Sequence, residues 1–163
     1  MTVESLEDIV RRLADRDAIR HVIASYAVHV DSRNFAAWQD LFAEDGGYGP
    51  ADNRIAKPLL AVAGAAFLAP YPSSHHFLGE SLIDVTGDTA IARVGGISHH
   101  VSAAAHPSRS SIVGGWLMLE LRRASTGWLI VSAESDTVWT EGDDYFATAA
   151  GVFEAFKRDH SLD

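Results

Sequence analysis

Near residue 70 the spacing of apolar side chains changes, from a helical repeat to the alternation of strands. Ahead of that point, Leu6, Ile9, Val10 and Leu13 predict a short amphipathic helix over Ser5 to Leu13. Ile19, Val22, Ile23, Tyr26, Ala27 and Val30 then recur at i, i+3, i+4 and i+7. They predict a second helix running towards Ser32, with one buried face and Asp15 or Asp17 as its cap. A third helix is expected over FAAWQDLFAED, capped by Asn34, burying Phe35, Trp38, Leu41 and Phe42 and halted by Gly46-Gly47. The run Leu59 to Leu68 reads as a fourth, ended by Pro70 and Pro72, which disrupt helix geometry and lack the backbone donor.

From Ser73 onward the pattern is that of long strands. HHFLGESLIDV reaches a hairpin signal at Thr86-Gly87-Asp88-Thr89, and TAIARVGGISHHV follows it. AAAHPSRSS is a looser connection; SIVGGWLMLELRR then turns at Ala124-Ser125-Thr126-Gly127 into GWLIVSAESDTVWT. DYFATAAGVFEAFKRD reads as a closing helix, with Phe146, Val152, Phe153 and Phe156 available for packing. Three or four antiparallel strands form one sheet whose face the helices must cover. Glycines inside the strands (Gly79, Gly95-Gly96, Gly114-Gly115) predict bulges that curl it. The expectation is one α+β domain over residues 1–163, a curved antiparallel sheet wrapped around N-terminal helices as a cone with an internal pocket.

Composition narrows the partners. At 163 residues and 47% hydrophobic content, the chain has the length and apolar share of one ordinary globular domain. A formal charge of −9 argues against nucleic acid, which requires a basic face, and disfavours anionic membranes. No run of about 18 apolar residues is present to span a bilayer. There is no cysteine, so disulfides and thiolate metal sites are excluded. The opening MTVESLEDIVRR is acidic where a secretory leader is basic, and no apolar core follows. The cytoplasm is the expected location.

Candidate chemistry gathers on one aspartate and the histidines. Asp31 lies at the edge of the second helix's apolar face, where a carboxylate is costly unless paired. The plainer alternative is a helix-end residue that meets solvent. Of eight histidines, four come as the pairs His75-His76 and His99-His100, and neighbours on a strand face opposite ways. Ala90, Ala92, Val94, Gly96 and Ser98 form a small, apolar row that assigns His100 inward and His99 outward. For His75 and His76 alternation does not decide. Leu78 and Leu82 share the face of His76, while Phe77, Ile83 and Val85 share that of His75.

The string LADRDAIRHVIASYAVHVDSRNFAAWQDLFAEDG resembles the opening of SnoaL-like proteins of the nuclear-transport-factor-2-like, cystatin-like superfamily. HHFLGESLIDVTGDTA resembles that family's His-Phe strand, and GGWLMLELRRASTGWLIVSAES its Leu-x-Arg…Gly-Trp hairpin. The resemblance covers about residues 10–142 and implies the cone fold. Within the superfamily it points to the scytalone dehydratase branch. There a helix aspartate pairs with the histidine of the His-Phe strand, which acts as general base. It implies Asp31 and His76 as that pair, His100 as a second histidine, and Tyr26 and Tyr48 as counterparts of the active-site tyrosines. Such a site removes a proton beside a carbonyl and expels a β-leaving group, with no cofactor. A polyketide cyclase would use the same groups. A non-catalytic ligand carrier, or a subunit like the small subunit of ring-hydroxylating dioxygenases, would share the fold without the chemistry.

Asp31, His76 and His100 are also the ligand types of a two-histidine, one-carboxylate iron site. The chain lacks H-x-H and H-x-x-x-H spacings, and no metal is expected. Trp38, Phe42, Phe67, Phe77 and Trp116, with Tyr48, are candidate pocket walls for a small hydrophobic or aromatic molecule. The run Trp116, Leu117, Met118, Leu119 and Leu121 exceeds what one covered face requires, which suggests a homodimer or homotrimer through the outer sheet face.

Overall fold

Six strands form one curved sheet in the order β2-β1-β6-β5-β4-β3, with helices against its concave side. The computed structural model describes residues 5–102, 109–143 and 145–160, with position 52 and residues 145–150 as backbone only. Most of the expected loose connection and the side chain of Phe146 lie outside the described residues. The elements are α1 (Leu6–Asp31), α2 (Phe35–Asp40), β1 (Phe42–Tyr48), β2 (Ile55–Ala56), α3 (Lys57–Leu68), β3 (Ser73–Thr86), β4 (Thr89–Val101), β5 (Ser110–Ala124), β6 (Gly127–Gly142) and α4 (Tyr145–His160). Helices packed on a bent sheet that is antiparallel except for the parallel β1–β6 pair make this an α+β cone.

The two expected N-terminal helices are one. Ser5 caps α1 by accepting from the Asp8 amide at 3.1 Å, and no Gly or Pro interrupts the 26 residues that follow. Asp15 is not a cap. It is buried within the helix, where both its oxygens accept from Arg123 at 2.6 and 2.7 Å and Trp128 Nε1 donates to it at 3.2 Å. That ties α1 to the β5–β6 hairpin. Leu6, Val10 and Leu13, expected to be a packed face, are exposed; the buried stripe starts at Asp15.

The third expected helix stops at Asp40, and Phe42–Tyr48 is a strand. The spacing of Phe35, Trp38 and Phe42 suits a helix locally, but β1 is held by its neighbours, parallel to β6 and antiparallel to β2. Gly46 and Gly47 do not stop a helix; they let those strands approach. A Cβ on Gly47 would lie 2.4 Å from the Ile55 carbonyl oxygen, and one on Gly46 2.7 Å from that of Ile130.

The four long strands run as expected, with tight turns at Gly87 and Gly127. Register shifts fall between Leu78 and Ser81 and between Gly114 and Gly115, at two of the three predicted glycine sites. Gly95 and Gly96 stay in register with β5, Gly95 lies opposite the β3 bulge, and a Cβ would meet Trp116 at the first and Leu78 at the second. The bulge after Leu78 inverts the phase of β3. Ser74, His76 and Leu78 face inward before it, Ser81, Ile83 and Val85 after it. The run on β5 also alternates: Leu117, Leu119 and Leu121 are buried core, and only Trp116 and Met118 take the other phase. The expected excess of outward apolar residues on β5 is therefore not there.

β3 is an edge strand, and α1 blunts it. Arg16 donates to the Ile83 carbonyl at 2.8 and 3.1 Å, Asp31 accepts from the His76 amide, and Arg33 donates to the Tyr71 carbonyl just ahead of the strand. Among the described residues no helix is long and apolar enough to cross a membrane.

Candidate active site

The inverted phase of β3 settles which histidine enters the cone. His76 lies on the inward face; His75 stays largely exposed, with Nδ1 3.8 Å from an Asp31 oxygen. His76 Nδ1 is 2.7 Å from Asp31 Oδ1, and its backbone amide donates to Oδ2 at 2.7 Å. Ser74 Oγ donates to Oδ1 at 2.9 Å. Asp31, the last residue of α1, thus meets β3 at three points. Burial works to raise its pKa, but these hydrogen bonds and the nearby imidazole outweigh it and hold the carboxyl below the usual range. Because a carboxylate only accepts, Nδ1 of His76 donates to it, and the neutral form of the ring then has its lone pair on Nε2.

Behind the pair stands Arg33, at φ 60°, a left-handed conformation rare for a side chain of this size. Its guanidinium donates to Ser74 Oγ at 2.7 Å, to the α1 carbonyls of Val30 and Asp31 at 3.1 and 3.3 Å, and to the Tyr71 carbonyl. Neither Arg33 nor Ser74 was expected from the sequence. The only signals available were their placement two residues from Asp31 and two from His76.

His100 is buried on β4, its ring perpendicular to that of His76 with centroids 5.4 Å apart. Tyr71 packs on it at 5.4 Å. Burial, then the charge it would share with His76 and Arg33, lowers its pKa to about 4, so it is neutral at pH 7.

The two histidines open onto a cavity of about 300 Å³ with a mainly apolar wall. Tyr26, Trp38, Tyr48 and Phe67 line it together with Leu60 and Val113. Tyr26 and Tyr48 both stand edge-on to Trp38. The Tyr48 hydroxyl lies 2.9 Å from Ser135 Oγ, and burial keeps the phenol protonated by raising its pKa. It reaches the cavity from β1, four strands away from β3 in the sheet. All thirteen Lys and Arg residues are described, and none lines the cavity.

Two expected wall residues, Phe42 and Phe77, are placed differently. Phe42 is fully buried in the core behind Trp38 and does not line the cavity. Phe77 follows His76 and so faces outward, 67% exposed. Trp116 lines the cavity as expected, with its ring also packed on Gly95 and Arg93 stacked 4.0 Å from its centroid. No three His, Asp or Glu side chains are placed to hold a metal ion among the described residues.

Residues 11–134 match a family profile described as a SnoaL-like domain. The chain belongs to the SnoaL-like family. Several solved structures share the fold of this SnoaL-like chain. A candidate aromatic ring hydroxylase from Novosphingobium aromaticivorans is 24% identical, with a TM-score of 0.73 over 84% of this chain and 97% of its own. A candidate scytalone dehydratase from the same organism is 19% identical, with a TM-score of 0.73 over 82% and 90%. An NTF2-like protein with a cystatin-like fold, also from that organism, is 26% identical, with a TM-score of 0.63 over 93% and 98%. Among curated proteins none matches the chain.

Proposed function

We propose that the chain is a cofactor-free lyase of the dehydratase kind, acting on a small, neutral, cyclic molecule. The observation that carries this reading is the hydrogen bond between Asp31 and His76 Nδ1 at the wall of an apolar cavity. It leaves Nε2 as a base while the carboxylate stabilises the imidazolium formed when that base takes a proton. The proton passes from a carbon beside a carbonyl to His76 Nε2, the electron pair forms the new C=C bond, and the β-hydroxyl departs as water on taking a proton back from the imidazolium. In this reading His100, neutral and beside His76, donates a hydrogen bond to the departing or developing oxygen. The Tyr48 hydroxyl serves a polar group at the far wall. The absence of any cation in the wall supports a substrate without phosphate or carboxylate, and the volume suits one or two fused rings.

A suitable probe is 3-hydroxy-1-tetralone, which loses water to give 1-naphthol. Elimination followed by absorbance, with exchange of the C2 protons followed by NMR in D2O, tests the base separately from the leaving-group step. Wild type is expected to promote both, and His76→Ala neither. Exchange or elimination that survives His76→Ala would end the dyad reading.

The self-association expected from the sequence is here assigned to a different patch. Phe77, Ile97, Gly114 and Trp139 stand in one cross-strand row on the outer face, and the three large members are 67%, 44% and 44% exposed. A second copy covering this row is expected to be lost in Phe77→Glu, read as a halved mass by light scattering. A monomeric wild type at micromolar concentration would remove the proposal.

A further inference from the structure

The hydrogen bonds behind the dyad run in one direction only. Arg33 has donors and no acceptor, so Ser74 Oγ can meet it only by accepting. The single hydroxyl proton of Ser74 is then committed to Asp31 Oδ1, 2.9 Å away. Asp31, an acceptor throughout, takes that proton on the same oxygen that meets His76 Nδ1. Arg33 to Ser74 to Asp31 is therefore a polarised chain, and each link orients the next.

The backbone supports the same reading. A non-glycine residue in the left-handed region is strained, and such strain collects where something else fixes the conformation. At Arg33 that something is four acceptors. Two are carbonyls at the end of α1, where the helix dipole favours a cation; the others are the Tyr71 carbonyl and Ser74 on the strand side. The guanidinium clamps the helix end that carries Asp31 to the strand that carries His76. A lysine, with one compact ammonium, does not offer the same planar fork.

We propose that Arg33 and Ser74 are positioning residues that hold Asp31 so that His76 stays in its Nδ1–H tautomer, with Nε2 free as the proton acceptor. The proposal rests on the dyad reading above, but its test needs no substrate. Long-range 15N–1H correlation spectra of the full chain, labelled at histidine and recorded where His76 is neutral, report the tautomer directly. Wild type is expected to show one dominant Nδ1–H form. Arg33→Gly keeps the left-handed backbone without strain, so the fold survives and the clamp alone is lost. Ser74→Ala removes only the relay oxygen. Each is expected to lower the ratio of Nδ1–H to Nε2–H about tenfold, the scale of one hydrogen bond to a charged group. The double variant is expected to go no further, because both act through one chain. An unchanged tautomer in Arg33→Gly would overturn the proposal. So would an effect of Arg33→Gly with none in Ser74→Ala, which would reduce Arg33 to a backbone clamp. If the tautomer shifts as expected while His76→Ala keeps its activity, this inference stands and the lyase reading falls.

Discussion

Two carboxylates on the same helix are spent in different ways. Asp15 and Asp31 both lie on α1, both turn inward, and both have pKa values held down by hydrogen bonds. Asp15 meets Arg123 through two oxygens, with the guanidinium also stacked 4.5 Å from the centre of the Trp128 ring. Arg123, whose own pKa is raised chiefly by that hydrogen bond, keeps its charge at any ordinary pH, so the pair is a permanent fastener. Asp31 meets the imidazole of His76, a ring with one nitrogen to hold against the carboxylate and a second to exchange a proton. Their surroundings differ in the same sense: the Asp15 pair is closed by an indole, whereas His76 opens onto a cavity. Burial of a carboxylate is common to both. The partner's ability to titrate separates architecture from chemistry.

That contrast is broken most sharply by matched substitutions. Asp31→Asn keeps shape but offers Nδ1 an amide that can donate, which admits the wrong tautomer. Turnover on the tetralone probe is expected to fall about 10³- to 10⁴-fold with the thermal midpoint little changed. Asp15→Asn is expected to do the reverse. It leaves Arg123 facing a neutral amide, and urea melts should show a loss of about 3 kcal/mol, the low end for a broken buried pair because Arg123 is partly exposed. Turnover per folded molecule should hold. If Asp15→Asn instead removes activity from well-folded protein, the division between the two sites fails.

Much of the cone was legible in the sequence because its long strands carry their own alternation and their own turns. The places that misled are those where a distant partner decides. Asp15 looks like a helix cap until Arg123, more than a hundred positions later, is brought against it. Phe42 to Tyr48 fits a helical spacing until β6 supplies a ladder. At the site, alternation pointed His100 inward, and it is buried there. It did not choose between His75 and His76, because the bulge after Leu78 inverts the count midway along the strand. Phe77 was misplaced by the same ambiguity. Ser74 and Arg33 carry no pattern of their own, and only the closure of α1 on β3 gives them meaning.

The smallest of the expected effects comes from a buried histidine on the cavity wall, His100. His100 has its pKa lowered to about 4 in the folded chain, first by burial. In the unfolded chain it titrates near 6.5, so below that pH the unfolded state binds the proton and the folded state does not. Stability is therefore complete above the unfolded value and drains away as pH falls from about 6.5 towards 4. Over the step from pH 7 to pH 5 the loss assigned to this residue is about 2 kcal/mol. His100→Gln carries no titrating group and should flatten urea midpoints across that interval. Asp15→Asn should leave the interval untouched and alter only the acid limb below about pH 4, where a carboxylate with a lowered pKa gives up its contribution. A His100→Gln profile that falls as steeply as wild type between pH 7 and pH 5 would show that His100 takes its proton without cost. His100 would then belong with the solvated histidines rather than in the dry wall beside His76.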